Sequence, residues 1–225
     1  MLIEFKNISV EREGRQTLAD LSLSLSERRI GVIGPNGSGK STFIRLINGL
    51  LLPVSGQILV DGMDTRTEVE QIRRKVGFVF QNPDNQIVFP IVSEDIEFGL
   101  KRRVSQAPVR RQRMLEALSQ LGVLHLQERL IHTLSGGERQ LIALAGVLAT
   151  QPDILIFDEP TTQLDLSMRN RFERHLAELA QPALVVSHDL DLMSTMERVL
   201  VLREGRRVFD GSASAATSWY RTHCG

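Results

Sequence analysis

Apolar and polar positions alternate with period two through the opening of the chain. Ile3-Glu4-Phe5-Lys6 and Leu21-Ser22-Leu23-Ser24-Leu25 put every second side chain on one face, which predicts two short strands between Leu2 and Leu25 around a polar turn near Gly14. Three later runs lose the alternation. Arg28 to Ile33, Ile154 to Phe157 and Ala183 to Val186 are short, nearly all apolar and bounded by turn residues, as parallel strands covered on both faces are. Helical patterns lie between them. Val199 to Leu202 and Arg207 to Phe209 flank Glu204-Gly205 and predict a terminal hairpin. From Ser93 to Thr150 no strand pattern occurs. There Pro108 stands at a first helical position, Met114, Leu118 and Leu121 follow on one face, and Gly122 supplies a stop. The pattern is that of an α/β sheet protein with a helical insertion. The small and polar stretch from Gly211 to Gly225 reads as frayed or loosely packed.

Composition narrows the class. With 225 residues, 42% hydrophobic and 24% charged, the chain matches ordinary globular proteins and is long enough for a full core. Its 27 basic and 27 acidic residues cancel, so no overall field draws it to nucleic acid. A local basic cluster, Lys101, Arg102, Arg103, Arg110, Arg111 and Arg113, reads as a solvated face, with lipid headgroups as the other contact it suits. The single cysteine, Cys224, has no intrachain partner, so nothing requires an oxidising compartment. The longest apolar run, Leu141 to Ala149, falls well short of the ~20 residues that span a bilayer as a helix. The first residues alternate instead of following a signal peptide's order. The expectation is a soluble, intracellular protein that reaches a membrane only through a partner.

Chemistry enters at Gly34-Pro35-Asn36-Gly37-Ser38-Gly39-Lys40-Ser41, a complete phosphate-binding loop between an apolar strand and the helical run that begins at Thr42. Glycines turn backbone N–H groups inward around phosphate oxygens, and the helix start adds positive dipole. Lys40 is placed to reach the β- and γ-phosphates and Ser41 to ligate Mg²⁺. Ile154 to Phe157 ends in Asp158-Glu159, which puts two carboxylates at the edge where open α/β sheets bind ligands. Asp158 then holds Mg²⁺ through water, and Glu159 polarises the attacking water. Leu134-Ser135-Gly136-Gly137-Glu138-Arg139-Gln140 opens a long helical pattern with a capping box of Ser135 and Glu138. Its two glycines make a second anion site at a helix start.

These residues resemble the ATP-binding-cassette ATPases over nearly the whole chain, with LSGGERQ as the most specific motif. The resemblance implies a P-loop NTPase with a RecA-like parallel sheet core and an N-terminal antiparallel β subdomain over residues 1–81 and 151–225. A helical subdomain over 82–150 carries the signature. It implies ATP and Mg²⁺ as ligands and a head-to-tail pair of subunits, a homodimer or a heterodimer with a paralogue. Ser135, Gly136 and Gly137 of one subunit close over the ATP of the other. Gln81 matches the glutamine that senses Mg²⁺ and the attacking water, Asp165 the aspartate at the dimer seam, and His188 the histidine that contacts the γ-phosphate. By itself a strand-end histidine is more often structural, and Ser187-His188-Asp189 cannot form a nucleophilic triad because adjacent residues do not share one geometry. Two positions depart from the family pattern: Arg12 stands where an aromatic residue usually stacks on adenine, and Gln163 stands for a glycine in the segment before Asp165.

Gln81-Asn82-Pro83-Asp84-Asn85-Gln86, the run Ile87 to Val92 and Ser93 to Gly99 resemble one branch, the ATPases of energy-coupling-factor importers. That branch implies a transmembrane coupling subunit and a membrane-embedded substrate-binding subunit as partners, no nucleic acid, and a place on the cytoplasmic face of the membrane. Ile87 to Val92 becomes part of the groove for a helix of the membrane partner, or else core beneath a loop. The compact length is similar to that of biotin transporters, so biotin is the first cargo implied and cobalt or nickel the next. A soluble scaffold ATPase, such as those of iron–sulfur cluster assembly, shares every ATP motif and is the competing class. Nucleic-acid ATPases of the superfamily need a long coiled coil or two cassettes, and 225 residues hold neither.

Overall fold

Runs covered on both faces and runs covered on one face build two different sheets. The computed structural model describes residues 2–12, 14–162 and 164–224. In chain order the elements are β1 (Ile3–Arg12), β2 (Arg15–Leu25), β3 (Arg29–Ile33), α1 (Lys40–Ile47), β4 (Ser55–Val60), β5 (Met63–Asp64), α2 (Val69–Lys75) and β6 (Val76–Val79). There follow α3 (Val92–Leu100), α4 (Ala107–Gln120), α5 (Gly136–Ala149), β7 (Ile154–Asp158), α6 (Leu166–Glu178), β8 (Ala183–Val186), α7 (Leu190–Ser194), β9 (Arg198–Arg203), β10 (Arg206–Gly211) and α8 (Ala213–Cys224). They group into two compact units, one of Met1–Val76, Asp153–Glu159 and Gln181–Gly225, the other of Gly77–Pro152 and Pro160–Ala180.

The first unit holds an antiparallel sheet in the order β2-β1-β4-β5. In β2 the residues Leu21, Leu23 and Leu25 are buried while those between are exposed, the alternation the sequence shows. Phe5 of β1 stacks on Phe43 of α1 with ring centroids 4.6 Å apart, which ties this sheet to the first helix. In the other sheet of this unit, β3 lies between β8 and β9, parallel to both, and β7 runs parallel to β8. Every residue of β3, β7 and β8 is buried, so the apolar runs carry no alternation. β9 and β10 form the terminal hairpin. The carboxyl ends of β3, β7 and β8 therefore lead into residues 34–39, Asp158-Glu159 and Ser187-His188, and they position the site.

The tail corrects the sequence reading. Residues 213–224 form a regular helix, α8, instead of a frayed end. Its small residues Ala213 and Ala216 are buried, and Trp219 stacks on Phe209 at 5.8 Å and on His223 at 4.3 Å. Small side chains here allow close helix packing, which composition alone presents as looseness.

The second unit is helical. Met114, Ala117 and Leu118 of α4 and Leu141, Ile142, Leu144 and Ala145 of α5 are buried, so the long apolar run belongs to a core helix. Between residues 93 and 150 no strand is described, and one bridge, Ile91 with Leu130, touches this stretch. The end of α4 is closed by Gly122 at φ +65 and by Arg171 of α6, whose Nη2 donates to the Leu121 and Gly122 carbonyls at 2.8 and 3.0 Å. No helix among the described residues is long and apolar enough to cross a membrane.

Candidate functional site

In the first unit the loop 34–39 joins a buried strand to α1, and Gly39 is the helix N-cap with φ +100. A Cβ there would sit 2.7 Å from the Thr17 carbonyl oxygen, so the turn requires glycine. No side chain caps α1, which leaves its first N–H groups as donors for an anion. Lys40, 7% exposed, donates from Nζ to the Gly34 and Pro35 carbonyls at 2.8 and 3.1 Å. Burial pushes its pKa below the usual lysine range, and the carboxylates of Glu159 and Asp158 pull in the opposite direction. The Ser38 hydroxyl is buried and has no hydrogen-bond partner among the described residues.

At the end of β7, Asp158 is 2% exposed. Its Oδ1 accepts from the Ser41 hydroxyl at 2.9 Å, and its Oδ2 faces Arg45 Nη2 at 3.5 Å. Ser41 and Arg45 stand four residues apart on one face of α1 and hold the carboxylate from both sides. Glu159 takes a left-handed backbone, φ +49, and its N–H donates to the Val186 carbonyl at 2.9 Å, which pins its peptide to the end of β8. Its Oε2 accepts from the His188 backbone N–H at 3.3 Å and lies 2.8 Å from His188 Nδ1. A carboxylate only accepts, so Nδ1 carries the proton and Nε2 is left to a further partner. The His188 side chain is 62% exposed and that of Glu159 11%.

In the second unit Ser135 is the N-cap of α5 with a complete capping box. Its Oγ accepts from the Glu138 N–H at 3.3 Å, while Glu138 Oε2 accepts from the Ser135 N–H at 2.8 Å and its hydroxyl at 2.7 Å. Those two donors hold the Glu138 carboxyl below the usual carboxylate range. Gly137 is buried, and a Cβ on it would lie 2.7 Å from the Met168 side chain of α6, so glycine lets the two helix starts approach. Gly136 is half-buried. Asp165 is the N-cap of α6 and accepts from the Met168 N–H at 2.8 Å. Gln81 is exposed just after β6. Gln163 lies outside the described residues.

Lys40, Ser41, Asp158, Glu159 and His188 thus meet in one unit, and Gly137 and Asp165 meet at Met168 in the other, with Ser135 two residues before Gly137. Arg12 stays apart, exposed at the end of β1 opposite Arg15, with no side-chain hydrogen bond or ion pair among the described residues. Arg45 is the site residue the motifs do not mark. Its spacing of four from Ser41 is the one available signal. The donor set suits the expected ligands: a bare helix start and the unpartnered Ser38 hydroxyl fit phosphate, and the Ser41 and Asp158 oxygens fit a hard divalent cation. No cluster of three or more His, Cys, Asp or Glu able to hold a metal occurs among the described residues.

Residues 18–162 match the family model described as ABC transporter, and the chain belongs to that family, the ATP-binding-cassette ATPases. The chain is 50% identical to the biotin transport ATP-binding protein BioM of Rhizobium etli over 98% of each chain. It is 41% identical to the energy-coupling factor transporter ATP-binding protein EcfA1 of Streptococcus thermophilus, over 91% of this chain and 78% of that one. Among solved structures, cbiO1 of Clostridium perfringens, part of the ABC transporter complex cbiONQ, superposes with a TM-score of 0.86 at 30% identity, covering 98% of this chain and 92% of that one. The P-loop NTPase fold and the ATPase class expected from the motifs are those of these relatives.

Proposed function

We propose that the chain is the ATP-hydrolysing subunit of an energy-coupling-factor importer, with biotin as its first cargo and a transition metal next. The arrangement that carries the catalytic reading is Glu159, pinned by Val186 and His188 at the strand end beside the Lys40 loop. In this reading residues 34–42 cradle the phosphates, and Lys40 leaves its loop carbonyls for the β- and γ-phosphates. Ser41 and Asp158 would hold Mg²⁺, which when bound neutralises charge on the phosphate oxygens, a role the family resemblance also gives Gln81. Glu159 takes a proton from the attacking water while His188, oriented through Nδ1, offers Nε2 to the γ-phosphate. Ser135, Gly136 and Gly137 close over the nucleotide of a second subunit, Asp165 lies at that seam, and the Arg12 guanidinium stacks on the base.

The names of the relatives and the near-complete coverage support transport over a soluble scaffold. The subunit then works in a dimer on the cytoplasmic face of the membrane, bound to a transmembrane coupling subunit and a substrate-binding subunit. Purification of the tagged chain from membranes tests this. Partner subunits and biotin uptake that stops with Glu159→Gln support it. A chain recovered alone from the aqueous fraction, with uptake unaffected by its deletion, refutes it.

A further inference from the structure

At the end of α3 and just beyond it the chain concentrates positive charge. From Phe98 to Leu115 the sequence holds six cations, Lys101, Arg102, Arg103, Arg110, Arg111 and Arg113, and no carboxylate, although the chain as a whole is neutral. Lys101, Arg102, Arg103 and Arg111 are exposed. No ion pair joins Lys101, Arg102 or Arg111 to a carboxylate among the described residues. Arg110 is used differently: its Nη1 donates to the Val104 and Ser105 carbonyls at 3.0 and 2.7 Å and so fixes the loop that carries its neighbours. An aromatic ring lies beneath one of the charges. Phe98 is 45% exposed, packs against Phe89 at 4.7 Å and lies 5.6 Å beneath the Lys101 ammonium.

An ordinary solvated face intersperses both signs. Exposed cations without a carboxylate partner, one of them over an exposed aromatic ring of α3, match an anionic bilayer surface, which attracts polybasic segments and takes aromatic rings at headgroup level. We propose that Phe98, Lys101, Arg102 and Arg111 form a contact site for anionic phospholipid headgroups, which holds the helical unit against the membrane. The proposal rests on the importer reading for its biological setting but not for its physics. Each cation near such a surface strengthens partitioning about fivefold.

Co-sedimentation of the purified full-length chain with vesicles tests it, using phosphatidylcholine alone or mixed with phosphatidylglycerol, at low and high salt. The expected result is binding to the mixed vesicles only, weakened by salt. The triple variant Lys101→Gln, Arg102→Gln, Arg111→Gln should lose roughly a hundredfold in partitioning, the product of three such charges. These positions are exposed and outside the nucleotide site, so thermal unfolding and ATP turnover of the free variant should match wild type. Equal binding to both vesicle types, no binding to the mixed ones, or an undiminished triple variant would overturn the proposal. Capture of membrane subunits from detergent extract, run in parallel, separates the two readings. If wild type captures none, the importer reading fails whatever the vesicles show. If wild type captures them and the triple variant does not, while vesicles bind neither, an acidic protein segment is the occupant and the lipid site is refuted.

Discussion

Replacing Glu159 by Gln removes one negative charge and little else. The amide oxygen can still accept from the His188 backbone and from Nδ1, now 3.3 and 2.8 Å from the carboxylate. The left-handed peptide at φ +49 stays pinned through its N–H to Val186. On the proposed role, what disappears is the base that draws a proton from water, a loss of about 10²–10⁴ in rate, or about 2.7–5.4 kcal/mol in barrier. Binding should survive, because Lys40, the loop backbone and Asp158 remain, and one fewer carboxylate repels the triphosphate. Glu159→Gln with ATP and Mg²⁺ is therefore expected to release almost no phosphate while eluting as a stable dimer in gel filtration. Glu159→Ala supplies the control: it also frees His188, so it should match Gln in turnover but trap less dimer. Phosphate release by Glu159→Gln at near the wild-type rate would place the base elsewhere and refute the assignment.

Other substitutions probe the remaining contacts. Lys40→Ala should nearly abolish binding of a fluorescent ATP analogue in equilibrium titration, since no other described cation is held inside the loop. Arg45→Ala removes a half-exposed cation from Asp158 Oδ2, so Mn²⁺ binding to the nucleotide-loaded chain, read by electron paramagnetic resonance, should tighten by about two- to fivefold. Ser135→Arg should leave ATP affinity of the isolated chain intact and stop turnover; loss of the cap costs about 1 kcal/mol, a fall of roughly 2–4 °C in Tm. Arg198 binds Asp210 through two nitrogens at 2.7 and 2.8 Å, so Arg198→Met should cost about 2 kcal/mol by thermal unfolding. The Asp210 carboxyl is lowered chiefly by that contact, so the pair's contribution is complete above the unfolded aspartate value, about 4. It is lost as pH falls through the lower folded value, and the gap between wild type and Arg198→Met should narrow in acid.

Legibility in the sequence followed the range of the interactions involved. The covered strands β3, β7 and β8 show themselves because burial on both faces dictates every residue. β4 does not, because it opens on exposed Ser55, Gly56 and Gln57 and takes its place from pairing with β1. α8 stays hidden for a related reason, since its buried alanines matter only against neighbours that composition does not name. The phosphate loop and the Asp158-Glu159 pair are legible because their chemistry needs contiguous residues. Arg45 is not, because its partner Asp158 lies 113 residues away and only helix register brings them together.

The two glycine-bearing helix starts differ in a way that bears on the order of events. α1 begins at Gly39 with no side-chain cap, so an anion arriving there displaces nothing but water. α5 begins at Ser135 with its cap complete, and the Ser135 hydroxyl is already donated to Glu138. To present that hydroxyl to a phosphate, the chain must break a charge-assisted hydrogen bond beside a carboxylate that itself repels the phosphate. The start of α5 is therefore the weaker anion site of the two. It can add its Gly136 and Gly137 donors only where the anion is already held by other contacts, which in the proposed reading is the loaded α1 of a second subunit. On the proposed reading, nucleotide then binds first at α1 of one subunit and α5 of the other closes afterwards, because the local hydrogen bonding makes the reverse order unfavourable.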